Sequence, residues 1–258
     1  MVFCLAQSAF ADSPEENQQR AILVTGASSG LGRVMAETMA ANGYFVYAGA
    51  RKDEDLKELS AIDNIQGVRL DVNKQDQIDA AVKTITEAGR GLYGLVNNAG
   101  VVVVQPLIEI EEEDFDFQMN VNIYGPYRVT KAFAPLIIES KGRISIIGSI
   151  SGTLSSATWG PYSMTKFAME AYADALADEM NPFDVNVSLI QPGAYRSNIG
   201  KSALERMDER NQSADDSQFK AAMADSVNWL SLFEKDHGDP TEVADAVMRA
   251  LFDDNPKP

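Results

Sequence analysis

The chain reads as one α/β domain on a doubly wound, mostly parallel sheet, and three observations carry that expectation. Its 258 residues fit a single large α/β body better than two ordinary domains. Short β-rich apolar runs alternate strictly with longer stretches of helical period. No repeat, low-complexity block or Pro/Gly/Ser linker marks a second unit. Such an order sets the C-terminal ends of the strands along one edge, where ligands of these sheets bind.

The strands are expected at 21–25, 44–50, 67–71, 94–98, 143–148 and 185–191, each compact, apolar and bounded by Gly, Asp, Asn or Pro. Helical periodicity falls on 31–41, 74–88, 112–138 and 161–180, and again near 242–251. Between 192 and 239 the texture is helical and polar, with apolar positions at Ile199, Ala203, Met207, Phe219, Met223, Val227, Leu230 and Phe233. That segment reads either as a lid over the crevice or as a helical pair packed on the sheet edge.

Composition removes several function classes. Hydrophobic residues at 45% and charged residues at 23% exclude disorder for most of the chain. Thirty-eight acids against 22 Lys plus Arg leave a formal charge of -16, which repels nucleic acid and anionic membrane surfaces. The lone Cys4 permits no internal disulfide, and the lone His237 argues against zinc and against a hydrolase triad. Residues 1–19 form a leader, ending its apolar part in a signal-like Ala9-Phe10-Ala11 but lacking a basic start, so export stays open beside a cytoplasmic location. No run approaches the ~18 apolar residues of a membrane span. The acids Glu109, Glu111, Glu112, Glu113, Asp114 and Asp116 fit the N-terminus of a helix better than a metal site.

The first strand and helix are joined by Thr25, Gly26, Ala27, Ser28, Ser29, Gly30, Leu31 and Gly32. Backbone amides and a helix N-terminus converge there, where a pyrophosphate fits and side chains would block its approach. The spacing is neither a P-loop nor GxGxxG. After the second strand stand Ala50 and Arg51, not an acid, so a 2′-phosphate is favoured over a free ribose hydroxyl. Arg33 is either a helper or a surface arginine. Asp71, closing the third strand, suits an adenine amine or a helix cap.

Tyr162 and Lys166 lie four residues apart and share a helix face. At roughly 5 Å and an effective dielectric near 20 their attraction is about 3.3 kcal/mol. That is enough to bring the phenol from about 10 to between about 7 and 8, ready for proton exchange with an alcohol or ketone. Ser149, ending the fifth strand, can hold a carbonyl oxygen in the same crevice, with Ser151 as a turn residue beside it. Asn122 sits in a long helix near Pro126, either beside a freed carbonyl that holds a relay water or as a tolerated polar residue at a kink.

Together, Thr25 to Gly32, Asp71, Asn97 to Gly100, Asn122, Ser149, Tyr162, Lys166 and Pro192-Gly193 resemble the short-chain dehydrogenase/reductases of the TGxxxGxG, NNAG, YxxxK type, over 22–251. The resemblance implies a Rossmann-like fold, a nicotinamide cofactor and a catalytic tetrad of Asn122, Ser149, Tyr162 and Lys166. It also implies cofactor contacts at Gly26, Ser28, Ser29, Gly30, Leu31, Gly32 and Arg51. Asp71 and Val72, and Asn98, Ala99 and Gly100, would border the adenosine side. Lys166 would bind the nicotinamide ribose, beside Tyr162, and Pro192, Gly193 and Ser197 the carboxamide end. Relatives usually add a seventh strand; its absence here would leave a sheet edge open and favour a dimer over a tetramer.

The expected function is therefore NADP(H)-dependent hydride transfer, NAD(H) remaining open, between the cofactor and a secondary alcohol or ketone. Met, Phe and Trp229 in the 192–239 segment point to an apolar substrate, as in hydroxysteroid or retinol dehydrogenases. A non-catalytic cofactor sensor or scaffold is the alternative.

Overall fold

The computed structural model describes residues 19–254 apart from 234 and 236, so most of the leader, with Cys4, and the terminal 255–258 lie outside the described residues. Six strands form one parallel sheet: β1 (Ala21–Val24), β2 (Phe45–Ala50), β3 (Ile65–Arg69), β4 (Gly94–Asn97), β5 (Arg143–Ile147) and β6 (Asn186–Ile190). Their spatial order is β3-β2-β1-β4-β5-β6. The winding reverses between β1 and β4, which opens a crevice at their carboxyl ends. Among the described residues β6 is an edge strand and no seventh comes after it.

A sheet covered on both faces needs strands apolar on both sides, and the period of two divides them cleanly. Leu23, Tyr47 and Ile146 pack against Ile78 of α3 (Gln75–Glu87), Phe133 of α5 (Gly125–Glu139) and Met169 of α6 (Gly160–Met180). Ile22, Val24 and Val46 face the opposite layer, where Met35 and Met39 of α1 (Gly30–Ala41) meet Val247 of α9 (Pro240–Phe252). Two further helices, α7 (Ile199–Glu209) and α8 (Lys220–Leu232), come after β6. Ala203, Met207, Met223 and Leu230 bury their side chains against Val102, Val104 and Tyr162, whereas Phe219 stays exposed at the start of α8.

The structure departs from the sequence reading in three places. A short helix, α2 (Asp53–Ser60), was not expected, because its charged surface carries little apolar period. It lies so close on β3 that a Cβ at Gly67 would stand 2.6 Å from the Leu56 carbonyl. The third strand runs over Ile65–Arg69 rather than 67–71, since Ile65 and Val68 pair in register with Val46 and Gly49, while Asp71 turns the chain by accepting the Asn73 N–H at 2.9 Å. The expected helix 112–138 is broken: α4 (Glu112–Met119) passes through a π turn at Asn120–Tyr124 before α5. Pro126, in the first turn of α5, has no N–H to continue the ladder back to Asn122. The remaining boundaries agree to within two residues, as helix and strand ends do.

Phe133, wholly buried at the sheet–helix interface, measures this core. Phe133→Ala is expected to cost about 3–5 kcal/mol. The thermal midpoint should fall by on the order of 10 °C in a calorimetric or dichroism melt.

Candidate active site

The site is built where β1 and β4 end. The buried Thr25 hydroxyl accepts the backbone N–H groups of Asn98 and Ala99, both at 3.0 Å, and donates to the Val96 carbonyl at 3.3 Å. Asn98 Nδ2 answers by donating to the carbonyls of Thr25 at 2.9 Å and Gly26 at 3.2 Å. The two turns are thus clasped together. Gly26, at φ +65°, is required by that closeness: its Cβ would lie 2.9 Å from Ala99 Cα. Gly32 is tighter still, with a Cβ position 2.3 Å from the Gly26 carbonyl oxygen.

A cleft of about 880 Å³ extends from these turns across the strand ends. This lies in the upper part of the roughly 300–1,000 Å³ typical of small-molecule and cofactor sites. Every residue singled out for cofactor contact lines it: Gly26, Ser28, Ser29, Gly30, Leu31 and Gly32 of the first turn, Arg51, Asp71 and Val72, Asn98, Ala99 and Gly100, and Pro192, Gly193 and Ser197. Ser149, Tyr162 and Lys166 line it too. The α1 N-terminus faces the cleft with no side-chain cap and no acid in its first turn, leaving its N–H groups for an anion. These residues fit a dinucleotide. Lys52, not singled out before, joins Arg51 on the wall after β2. Arg33 is engaged elsewhere, paired with Glu37 and, at 3.7 Å, with Glu58.

Asn122 stands one layer behind the cleft, not in its lining. Its side chain grips Val101 with both hands, accepting the Val101 N–H and donating to the Val101 carbonyl, each at 2.9 Å. It also donates to Thr165 Oγ1 at 3.1 Å, and that hydroxyl donates to the Tyr162 carbonyl at 2.7 Å. The π turn therefore sets the height of α6 relative to the segment after β4.

Ser149 Oγ accepts the Ser151 N–H at 3.1 Å and hydrogen-bonds the Tyr162 phenol. Lys166 Nζ donates to the Ile147 carbonyl at 2.8 Å and lies 5.6 Å from the centre of the Tyr162 ring. The expected acidification of the phenol is overturned here. Burial pushes Tyr162 up to about 12, outweighing the lowering by Ser149. Burial likewise brings Lys166 down to about 8, against the raising influence of Glu170. Both groups are 8% exposed, and removing water from either charged form costs more than the pair returns.

The far wall belongs to α7 and α8, where Ile199, Ala203, Arg206, Trp229 and Phe233 face Phe117 and Trp159. The acidic run at the start of α4 serves this wall. Asp114, fully buried, binds Arg206 at 2.6 Å, Arg210 at 2.9 Å and the Gln212 amide at 2.6 Å. Glu113 pairs with Arg210 at 3.1 Å, and Glu109 accepts the Ser217 hydroxyl at 2.6 Å. The sequence hid this role because acids in a first helical turn already suit the helix dipole. The signal was helical spacing, which sets Asp114 on one face with Gln118 and Val121.

The folded-state value of Lys166 lies below its ordinary 10.5, so its buried charge weakens the fold at neutral pH and the penalty fades as pH rises beyond about 8. Tyr162 acts oppositely above about pH 10, where the unfolded chain ionises first. Relative to Lys166→Met, the wild-type protein should gain about 2 kcal/mol between pH 7 and 9.5 in paired urea titrations. An unchanged difference between the two proteins would contradict this burial effect.

Residues 20–208 match the short chain dehydrogenase family model. The chain is 36% identical over 196 residues to the mitochondrial D-beta-hydroxybutyrate dehydrogenase of Bos taurus, covering 72% of this chain and 57% of that one. It is 39% identical over 183 residues to the 3-amino-tetrahydro-pyrrolizinone reductase of Xenorhabdus hominickii, covering 70% and 63%. The alignments to these relatives thus span about three fifths of their length. A short-chain dehydrogenase structure from Streptomyces avermitilis superposes with TM-score 0.78 at 32% identity, over 93% of this chain and 86% of that one. The clasped turns, the cleft and these matches agree, and the chain belongs to the short-chain dehydrogenase family.

Proposed function

We propose that the protein is an NADP(H)-dependent oxidoreductase that interconverts a secondary alcohol and a ketone. The observation that carries this reading is the convergence of Ser149, Tyr162 and Lys166 on one cleft with an uncapped helix N-terminus. When bound, the nicotinamide supplies or accepts the hydride. The chain handles the proton and the orientation. The Ser149 hydroxyl, steadied by the Ser151 N–H, holds the substrate oxygen beside the phenol. Tyr162, neutral at pH 7, donates its proton to a carbonyl oxygen and is left as the phenolate, and in the reverse direction that phenolate takes the proton from an alcohol. Lys166, held by the Ile147 carbonyl, is the cation beneath it, and Asn122 keeps the helix carrying both in place through Thr165.

The preference for NADP(H) rests on Arg51 and Lys52, two cations on the cleft wall with no ion pair among the described residues. A guanidinium bonds a phosphate more strongly than a neutral hydroxyl. The α7–α8 wall acts as a lid over an apolar substrate, as its aromatic lining supports. A dimer through α5 and α6 is part of the same reading. Tyr124, Tyr127, Met164 and Phe167 leave large apolar surface exposed on their outer side. A cytoplasmic location rests on the sequence alone, and the bovine relative is named mitochondrial. Among the described residues no helix is long and apolar enough to cross a membrane.

Purified protein with NADPH and a panel of lipophilic ketones, followed by loss of cofactor absorbance, tests the reading. Tyr162→Phe should lose about 10²- to 10⁴-fold in turnover. Cofactor binding with no turnover of any carbonyl would return the chain to the sensor class. Arg51→Ala should weaken NADPH by about tenfold or more while sparing NADH. Equal losses for both would place that guanidinium away from the ribose.

A further inference from the structure

The substrate end of the cleft holds one arginine, Arg206, and its charge is already spent. Its Nε and Nη2 both donate to Asp114 Oδ1, at 3.1 and 2.6 Å, and its guanidinium lies 3.8 Å from the centre of the Phe117 ring. The second Asp114 oxygen is taken by Gln212 at 2.6 Å and Arg210 at 2.9 Å. Asp114 has no access to water, so a ligand that drew Arg206 away would leave a buried carboxylate short of its partner. The other cations lining the cleft are distant in role: Arg51 and Lys52 come after β2, and Lys166 is bound to the Ile147 carbonyl. On the same α7 wall Glu205 and Glu209 are exposed and carry no ion pair among the described residues. Of the charged groups on α7 only Glu205, Arg206 and Glu209 line the cleft, and with Arg206 neutralised by Asp114 this lining is net negative.

We propose that the Asp114–Arg206–Arg210 network makes this site select uncharged carbonyl substrates and reject carboxylate-bearing ones, hydroxy and keto acids included. The inference rests on the carbonyl reading above and sharpens it. Similarity to a hydroxybutyrate dehydrogenase points the other way. The two readings differ in the fate of one guanidinium. An acid substrate needs a free cation at the substrate end, whereas here the cation serves to fasten α7 to α4. A ligand carboxylate entering this wall meets Glu205 and Glu209, which carry no ion pair among the described residues.

Binding separates this from turnover, because both tryptophans of the chain, Trp159 and Trp229, line the cleft and report on its occupancy. Wild-type protein saturated with NADP+ is titrated with 5-oxohexanoate and with its methyl ester, following intrinsic fluorescence. The ester should bind at least tenfold more tightly than the acid. In Asp114→Asn, which releases Arg206, the ratio should fall below threefold. The Glu205→Gln/Glu209→Gln variant leaves α4 intact, guards against a folding failure of the first, and should narrow the ratio at least threefold. Acid binding as tight as ester binding in the wild type, or a ratio unmoved in the folded double variant, overturns the proposal while leaving the carbonyl reading standing. If neither compound perturbs the fluorescence, the site takes no ketone of this chemistry and the proposal is overturned, while turnover of the ketone panel still decides the carbonyl reading.

Discussion

One hydroxyl holds the cleft open at the right width. Thr25 accepts two N–H groups from the turn after β4, and Asn98 returns two bonds to the turn after β1. These turns begin crossovers that leave the sheet on opposite faces, so nothing in the helical layers alone would keep them in register. The clasp supplies that register around the buried Thr25 hydroxyl, where an unmade hydrogen bond is expensive. Glycines at 26 and 32 are required by it, because the turns approach too closely for a Cβ. The exposed amides of α1 and the position of the whole cleft floor are consequences.

From that floor Tyr162 and Lys166 are reached through a chain of side chains, not through a single contact. Asn122 locks the segment at Val101 and touches Thr165, and Thr165 holds the Tyr162 carbonyl. Tyr162 and Lys166 are kept out of water, and the resting site therefore stores an unfavourable pair of environments: a phenol reluctant to ionise and an ammonium reluctant to stay charged. Natural folds tolerate such a cost where the environment itself is used. The packing that imposes it includes Val102, Val104, Met207 and Leu230, so the α7–α8 wall and the chemistry share one apolar cluster.

Much of this was legible in the residues. The sheet was, because parallel strands buried on both faces are near-continuous apolar runs such as Ala21–Val24, and the turns between them carry glycine where backbone must approach backbone. The lining residues were, because strand ends of such a sheet converge on one edge. Other features depend on tertiary surroundings that no local pattern reports. The acidity of Tyr162 was misjudged because a charge pair can be read from spacing, while the loss of water around it cannot. Asp114 was assigned to a helix N-terminus alone because its partners, Arg206 and Gln212, lie about ninety residues away in the chain. The α2 helix escaped notice because only Leu56 and Leu59 of its eight residues are apolar, too few to mark a period.

The π turn at Asn120–Tyr124 has an angular meaning. Successive residues of an α-helix advance by about 100°, so one wide turn changes the phase between the helix on its N-terminal side and the helix on its C-terminal side. Asp114 lies before that turn and Asn122 within it, yet each faces its own partner, one toward α7 and the other toward α6. A chain shortened by one residue there would swing one of the two groups about a quarter-turn out of place. Fastening of α7 and alignment of α6 are therefore tied to the same local irregularity.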